Sequence, residues 1–471
     1  MSVKAKYELE GETVTFTLPF GNYHQFLDKT RTVDGDCYFQ ENEEQKVSFP
    51  FQGVRAISQI LKSMDCEVDT SELKTKIGAP VYEDLGQKYL RPEQYEFLKL
   101  AMKFWSGVLS LPTAYGKNVM IVYLCECSKI RNKNILICAP TYSIVDEIKE
   151  RFKKYGHTVS SDFDKNCNIW VINPVGFVAR KNTEDLQDWL DQVDMLLVDE
   201  CDTVTPSLEE LMARLPNARI HLGFSATVDK LNGSNLTKTS NWNNLRMETC
   251  KILMNFGPAI VHKLPSKVIR VVESDIRFGN YKNLWSYDKC VSQVWHSSKT
   301  IPYIRKCIED NNRWGRSTIL APFTNRQHVE FLLNSPALSK FTIVMWTAEG
   351  LKLNNGVEER GAGLERVKEL VNNHEVDLLL ATSVGFKGVD ITELKSVLFM
   401  TGSSYGSVTQ ILGRIFRYQG DGLPTVYLPH NISENPLYNK AYKSRRDIIL
   451  RNDCVREVME VNYIEEWLKN F

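Results

Sequence analysis

VLSLPTAYGKNVMIVYLCECSKI, residues 108–130, reads as strand, loop and helix in immediate succession. Its first four residues form an apolar run of strand type, and from Val119 onward the run is long enough for a buried helix. Between them LPTAYGKN (111–118) places a Gly-Lys pair at the turn into the helix. A loop that binds phosphate needs exposed backbone N–H groups at a helix N-terminus, and a lysine that reaches the β and γ phosphates. Gly116 permits the tight backbone path and Lys117 supplies the charge. Pro112, Thr113, Ala114 and Tyr115 form the rest of the cradle, which Asn118 closes. Leu111 stands where the usual motif has its first glycine, and Asn118 where it has Ser or Thr. Taken alone, the octapeptide is explained about equally well by a chance Gly-Lys turn.

About 80 residues further on, MLLVDECD (195–202) is an apolar strand that ends in acids. Asp199 is placed to hold Mg²⁺ and Glu200 to orient or deprotonate an attacking water. Acids at a strand end are often merely solvated turn residues. Their order after the phosphate loop, at the end of a buried run, favours the functional role.

Outward from these two stretches the chain alternates short apolar strands with amphipathic helices. VLSLP, NILICAP, NIWVINP, MLLVDE and RIHLGFSAT form one set; KVIRVVES, STILAPF, FTIVMWTA, VDLLLATS, SVLFMTG and PTVYLPH form a second. Near-continuous apolar strands of this kind fit parallel sheets covered on both faces. The expected fold is α/β, with two tandem RecA-like parallel-sheet domains at 86–264 and 265–432. A small α+β accessory domain at 1–85 and a helical extension at 433–471 complete it. In the first segment Val14, Phe16 and Leu18 share a strand face, and VRAISQILKSMD has helical spacing. Its basic residues Lys4, Lys6, Lys29, Arg31, Lys46 and Arg55 are candidate DNA contacts if the fold gathers them. Two such α/β halves create a cleft at their strand ends, where open parallel sheets bind ligands.

At 471 residues, 43% hydrophobic and 25% charged, the chain is globular and long enough for two to four domains. Lysine plus arginine equals aspartate plus glutamate at 58 each, so the net charge gives no sign of a nucleic-acid partner. No run approaches the ~18–20 apolar residues of a membrane span, and the N-terminus has no signal-peptide core. A cytoplasmic protein with no membrane partner is expected. The eleven cysteines show no zinc-type pairing and read as buried free thiols.

With these elements in place the chain resembles a superfamily 2 helicase or translocase over residues 90–420, with the motifs in order. LRPEQ (90–94) resembles the motif whose glutamine, here Gln94, reads adenine. APT (139–141) resembles the motif touching the nucleic-acid backbone, through Pro140 and Thr141. SAT (Ser225, Ala226, Thr227) resembles the motif that couples hydrolysis to strand movement. ATSVGFKGVDI (381–391) resembles the fifth motif: the resemblance implies that Thr382 and Lys387 contact the strand and that Asp390 serves the nucleotide. QILGRIFR (410–417) resembles the sixth. Gln410, Arg414 and Arg417 are four and three residues apart, so one helical face presents them together. As arginine fingers, Arg414 and Arg417 stabilise charge on a transferring phosphoryl group; a solvated basic face is the plainer account of that helix in isolation. NPVGF (173–177) is a faint match to a further strand-contacting motif. Trp170, Trp295 and Trp346 suit core packing better than base stacking.

The resemblance implies ATP and Mg²⁺ as cofactors, and DNA (single-stranded, forked or branched) ahead of RNA as partner, engaged by a monomer. DECD, where the alanine-containing form marks RNA-remodelling relatives, is the feature that favours DNA. The layout resembles phage-type branch-migrating DNA helicases, a recombination and repair class. An RNA helicase, or a nucleotide-regulated binding protein with weak hydrolysis, is the alternative, the latter kept open by Asn118.

Overall fold

The computed structural model describes residues 3–10, 13–30, 40–41, 45–73, 82–111, 115–127, 134–161, 167–178, 184–202, 204–226, 247–261, 267–276, 278, 286–315, 317–361, 363–382, 391, 393–400, 405–415, 423–430, 436–450 and 455–462. They divide into two compact units, one of Met1–Leu111 with Tyr115–Lys263, the other beginning at Leu264.

The first unit opens with strands β1 (Lys4–Lys6), β2 (Glu8–Glu10), β3 (Thr13–Thr17), β4 (Gln40–Glu41), β5 (Lys46–Pro50) and β6 (Glu67–Asp69). β2-β3-β5-β4 is an antiparallel sheet, and β1 pairs with β6 in parallel. β3 alternates as its sequence demands, with Val14 and Phe16 buried and Thr13 and Thr17 exposed. The helix Val54–Lys62 buries Ala56, Ile57, Ile60 and Leu61, the spacing of one helical stripe.

The segment 1–85 belongs to the same hydrophobic core as the rest of this unit, which runs from Val14, Phe49 and Ile57 to Leu253 and Phe256. Polar clasps reinforce the join. Gln52 Nε2 donates to the Ala218 carbonyl at 3.1 Å, and Ser106 Oγ donates to the Gln52 carbonyl at 3.0 Å. Arg55, proposed from sequence as a DNA contact, instead donates to the Ser106 carbonyl at 2.7 Å and lies over the Phe104 ring at 4.1 Å. Lys4 and Lys6 pair with Asp69 and Glu72. These partners were invisible in the sequence because they are set by tertiary packing: β1 lies along β6, and Arg55 meets a sheet that begins some fifty residues later. Lys29 (by its side chain) and Arg31 lie outside the described residues.

The larger sheet comprises β7 (Ser106–Ser110), β8 (Asn134–Cys138), β9 (Ile169–Ile172), β10 (Val193–Asp199), β11 (Ile220–Ser225) and β12 (Ala259–Ile260). Its order is β12-β7-β11-β10-β8-β9, with all neighbours parallel. β10 is buried from Met195 through Asp199, as a central strand with both faces covered must be.

The second unit holds β13 (Lys267–Asp275), β14 (Thr318–Pro322), β15 (Ile343–Thr347), β16 (Gly350–Leu353), β17 (Glu358–Arg360), β18 (Leu378–Ala381), β19 (Leu394–Leu398), β20 (Thr425–His430) and β21 (Val455–Asn462). The order is β17-β16-β15-β18-β14-β19-β20-β13-β21. The sheet is parallel except for β16 and β17, which extend it as an antiparallel pair. The tail departs from the expected continuous helix: Pro436–Leu450 is helical, and Val455–Asn462 is a strand along β13. Val455, Val458 and Val461 repeat every three residues and so imitate a helical stripe. β-branched residues suit a strand, and β13 would otherwise present an open edge. No described helix is long and apolar enough to cross a membrane.

Candidate nucleotide site

Because the first unit's large sheet is parallel, the carboxyl ends of its strands share one edge. The sequence motifs fall there: Leu111 follows β7, Pro140 and Thr141 follow β8, Asn173 follows β9, Glu200 follows β10 and Ala226 follows β11. β11 lies between β7 and β10, which brings the phosphate loop, Ser225 and the acid pair together. The Leu111 N–H donates to the buried Ser225 carbonyl at 3.0 Å, prolonging the ladder to the mouth of the loop.

The helix Lys117–Cys127 begins at the lysine itself. Gly116 has φ +88°, and a Cβ there would meet Gln94 Nε2 at 2.6 Å, so only glycine fits. Gln94 is buried against the loop: its Oε1 accepts from the Arg91 backbone N–H at 2.9 Å, and its Nε2 donates to the Tyr115 carbonyl at 2.6 Å. Arg91 donates to the same carbonyl at 2.8 Å and stacks its guanidinium over the Tyr115 ring. LRPEQ therefore buttresses the phosphate loop directly. Arg91 was missed in sequence because its partner is a carbonyl, which carries no residue signature.

The Lys117 ammonium lies 3.0 Å from Asp199 Oδ1 and also binds the Glu200 carboxylate. Burial disfavours its charge, but the two carboxylates outweigh burial and hold Lys117 above its ordinary range. Burial pushes the Asp199 carboxyl up, against the pull of Lys117. Glu200 sits at φ +52°, a left-handed conformation that side chains adopt at a cost of roughly 1–2 kcal/mol. Such strain is tolerated where a side chain must be aimed, and here it aims Glu200 at Lys117.

The donors suit a hard divalent cation. Asp199 Oδ1 is buried, with the Lys117 ammonium 3.0 Å away as its ionic partner. Magnesium is held through one or two carboxylates together with substrate phosphates and water. Among the described residues no group of three or more His, Cys, Asp and Glu side chains gathers. Asn118 Nδ2 donates to Glu147 Oε1 at 2.9 Å, a partnership the sequence did not reveal. Glu147 lies on the helix Tyr142–Lys154, which Thr141 caps by accepting the Ile144 N–H. Pro140 is exposed and Thr141 half-buried.

In the second unit Thr382 follows β18 and its N–H donates to the Trp346 carbonyl at 3.4 Å. Gln410 and Arg414 lie one turn apart on the helix Tyr405–Ile415. Their side chains, and Pro112, Thr113, Ala114, Thr227, Lys387, Asp390 and Arg417, lie outside the described residues. Trp170, Trp295 and Trp346 are all buried, as core packing predicts. Cys66, Cys125, Cys127, Cys138, Cys167, Cys201, Cys290 and Cys307 are buried and none of them is in a disulfide.

Residues 91–233 match the family described as DEAD/DEAH box helicase. "Putative helicase 22" of Sulfolobus islandicus filamentous virus is 22% identical over 342 residues, covering 66% of this chain. The match spans 58% of that relative's length. Among solved structures, S. cerevisiae Dbp5 bound to RNA and ADP BeF3 is similar with a TM-score of 0.50 at 13% identity, covering 88% of this chain and 95% of that one. UvsW of bacteriophage T4 is similar with a TM-score of 0.41 at 15% identity, covering 98% and 100%. The fold is shared with Dbp5. Residues 91–233, which hold the phosphate-loop lysine and the acid pair, are thus similar to a DEAD/DEAH box helicase domain.

Proposed function

We propose that this chain is an ATP-driven DNA helicase or translocase that acts in the cytoplasm as a monomer and unwinds or branch-migrates forked or branched DNA. The observation that carries the ATPase reading is the cluster of Lys117, Asp199 and Glu200 at the mouth of the phosphate loop. The lysine bridges the two acids. With nucleotide bound, Lys117 would serve the β and γ phosphates, Asp199 and Asn118 would hold the metal, and Glu200 would be free to orient water. Magnesium, when bound, neutralises charge on the phosphate oxygens. Gln410, Arg414 and Arg417 stabilise the transferring phosphoryl group, and Gln94 and Asp390 bind the nucleotide. Pro140, Thr141, Thr382 and Lys387 contact the nucleic-acid backbone, while Ser225, Ala226 and Thr227 couple the site to strand movement. Residues 86–264 and 265–432 are the two halves of the motor. DNA is preferred to RNA because the acid box reads DECD.

Steady-state ATPase with single-stranded, duplex, forked and four-way DNA, beside RNA, tests the reading. Forked or four-way DNA should stimulate turnover most. Stronger stimulation by RNA would replace DNA as the substrate. No turnover with any polymer, nucleotide binding being retained, would leave a nucleotide-regulated binding protein.

A further inference from the structure

Asn118 occupies the place where phosphate loops of this type carry a hydroxyl, and an amide in that place has a difficulty a hydroxyl lacks. A hydroxyl oxygen donates and accepts from one atom. A primary amide has one face that only donates and one that only accepts, so it can serve a cation in one of its two orientations alone. The orientation is fixed by the neighbours of the amide.

Here the neighbour is a carboxylate. Asn118 Nδ2 lies 2.9 Å from Glu147 Oε1, and an ionised carboxylate only accepts. The NH₂ group must therefore face Glu147, and a planar amide then turns Oδ1 away from it. Glu147 is carried by the helix Tyr142–Lys154, which packs beside the helix of the phosphate loop. Asn118 is the second residue of that helix, next to Lys117 and its two acids. From this geometry we infer that Glu147 is a positioning residue for the metal site: it locks the Asn118 amide with its oxygen presented as a ligand, and so compensates for the missing hydroxyl. The inference rests on the ATPase reading above. It adds that the departure at residue 118 is one half of a pair whose other half lies 29 residues later.

Residues that orient a metal ligand from behind typically contribute 10–100-fold to metal affinity or activity. Glu147→Gln is the discriminating change, because it keeps the shape yet lets the new amide donate to Asn118 Oδ1 and hold it the wrong way round. Binding of a fluorescent, non-hydrolysable ATP analogue would be titrated with Mg²⁺, in parallel with the Mg²⁺ dependence of turnover. The expected result is a rise of about tenfold or more in half-saturating Mg²⁺ for Glu147→Gln, with metal-free nucleotide affinity close to the parent's. In an Asn118→Thr background, where a hydroxyl needs no orientation, the same Glu147→Gln change should move half-saturation less than twofold. An unchanged Mg²⁺ requirement in the single variant overturns the inference while leaving the ATPase reading intact. Equal impairment of the single and double variants overturns it as well, since Glu147 would then be merely structural. A parent chain that binds no magnesium nucleotide overturns both.

Discussion

Lys117 is held between two acids, and its loss has consequences that separate on substitution. Lys117→Ala should abolish nucleotide binding and turnover together. Burial already disfavours the charged form of Asp199 and the change removes its cation, so the variant should keep its fold with a lowered melting temperature. Glu200→Gln should keep nucleotide affinity and lower turnover by roughly 10²–10⁴, the usual worth of a positioned base. Turnover at the parent rate would move water orientation to another residue. Arg414→Ala or Arg417→Ala should depress turnover by about 10³ or more with a small change in ATP affinity, because a finger acts on the transition state. Near-normal single-turnover rates would reduce that helix to a solvated basic face. Lys117, Asp199 and Glu200 were legible because each is fixed within a few residues of a strand end. Glu147 was not, since its meeting with Asn118 depends on how two helices are rotated.

At the scale of elements, β11 carries a titration that the fold must resist. His221 is buried, and its Nδ1 lies 3.1 Å from the Asn255 carbonyl. Burial depresses its pKa from 6.5 to about 4. Between those values the unfolded chain binds a proton that the folded chain refuses, so stability is full above pH 6.5 and falls as pH drops toward 4. The loss amounts to about 3 kcal/mol at the acid end. Urea unfolding of the parent and of His221→Gln between pH 4 and 7 should show a shallower acid slope in the variant; parallel slopes would assign the acid sensitivity elsewhere. The parallel strands could be read directly, since burial on both faces writes itself as an unbroken apolar run. The pair β16–β17 escaped notice, although Asn354-Asn355-Gly356 is a hairpin turn signal and Gly356 has φ +84°. β21 was misread because valines three apart satisfy a helix and a strand alike, and only the open edge of β13 decides between them.

For the whole molecule, residues 1–85 looked separable in sequence and are built into the first unit's core. Gly53 leaves room for Met254, whose Cε would lie 2.8 Å from any added Cβ. Phe51 meets Trp105, and Gln52 reaches Ala218. Deleting residues 1–85 would uncover Leu253, Met254 and Phe256 among others. Each large apolar side chain returned to water costs roughly 1.5–3 kcal/mol, against a typical total stability of about 5–15 kcal/mol. The truncated chain should therefore aggregate on expression, as read by size-exclusion chromatography. A soluble truncation that retains DNA-stimulated ATPase would instead make the segment a removable domain. The same unit also contains its own optical probe. Trp170 on β9 and Trp189 on the helix Glu184–Leu190 stack with ring centres 3.4 Å apart and planes within 7°. Indoles so placed share their excitation, giving a bisignate circular-dichroism band and dimmed emission that neither chromophore shows alone. On heating or in urea the band should vanish as the first unit opens, whereas total emission also reports Trp295, Trp314 and Trp346 of the second unit, so it is the coupled band that follows the first unit without any added dye.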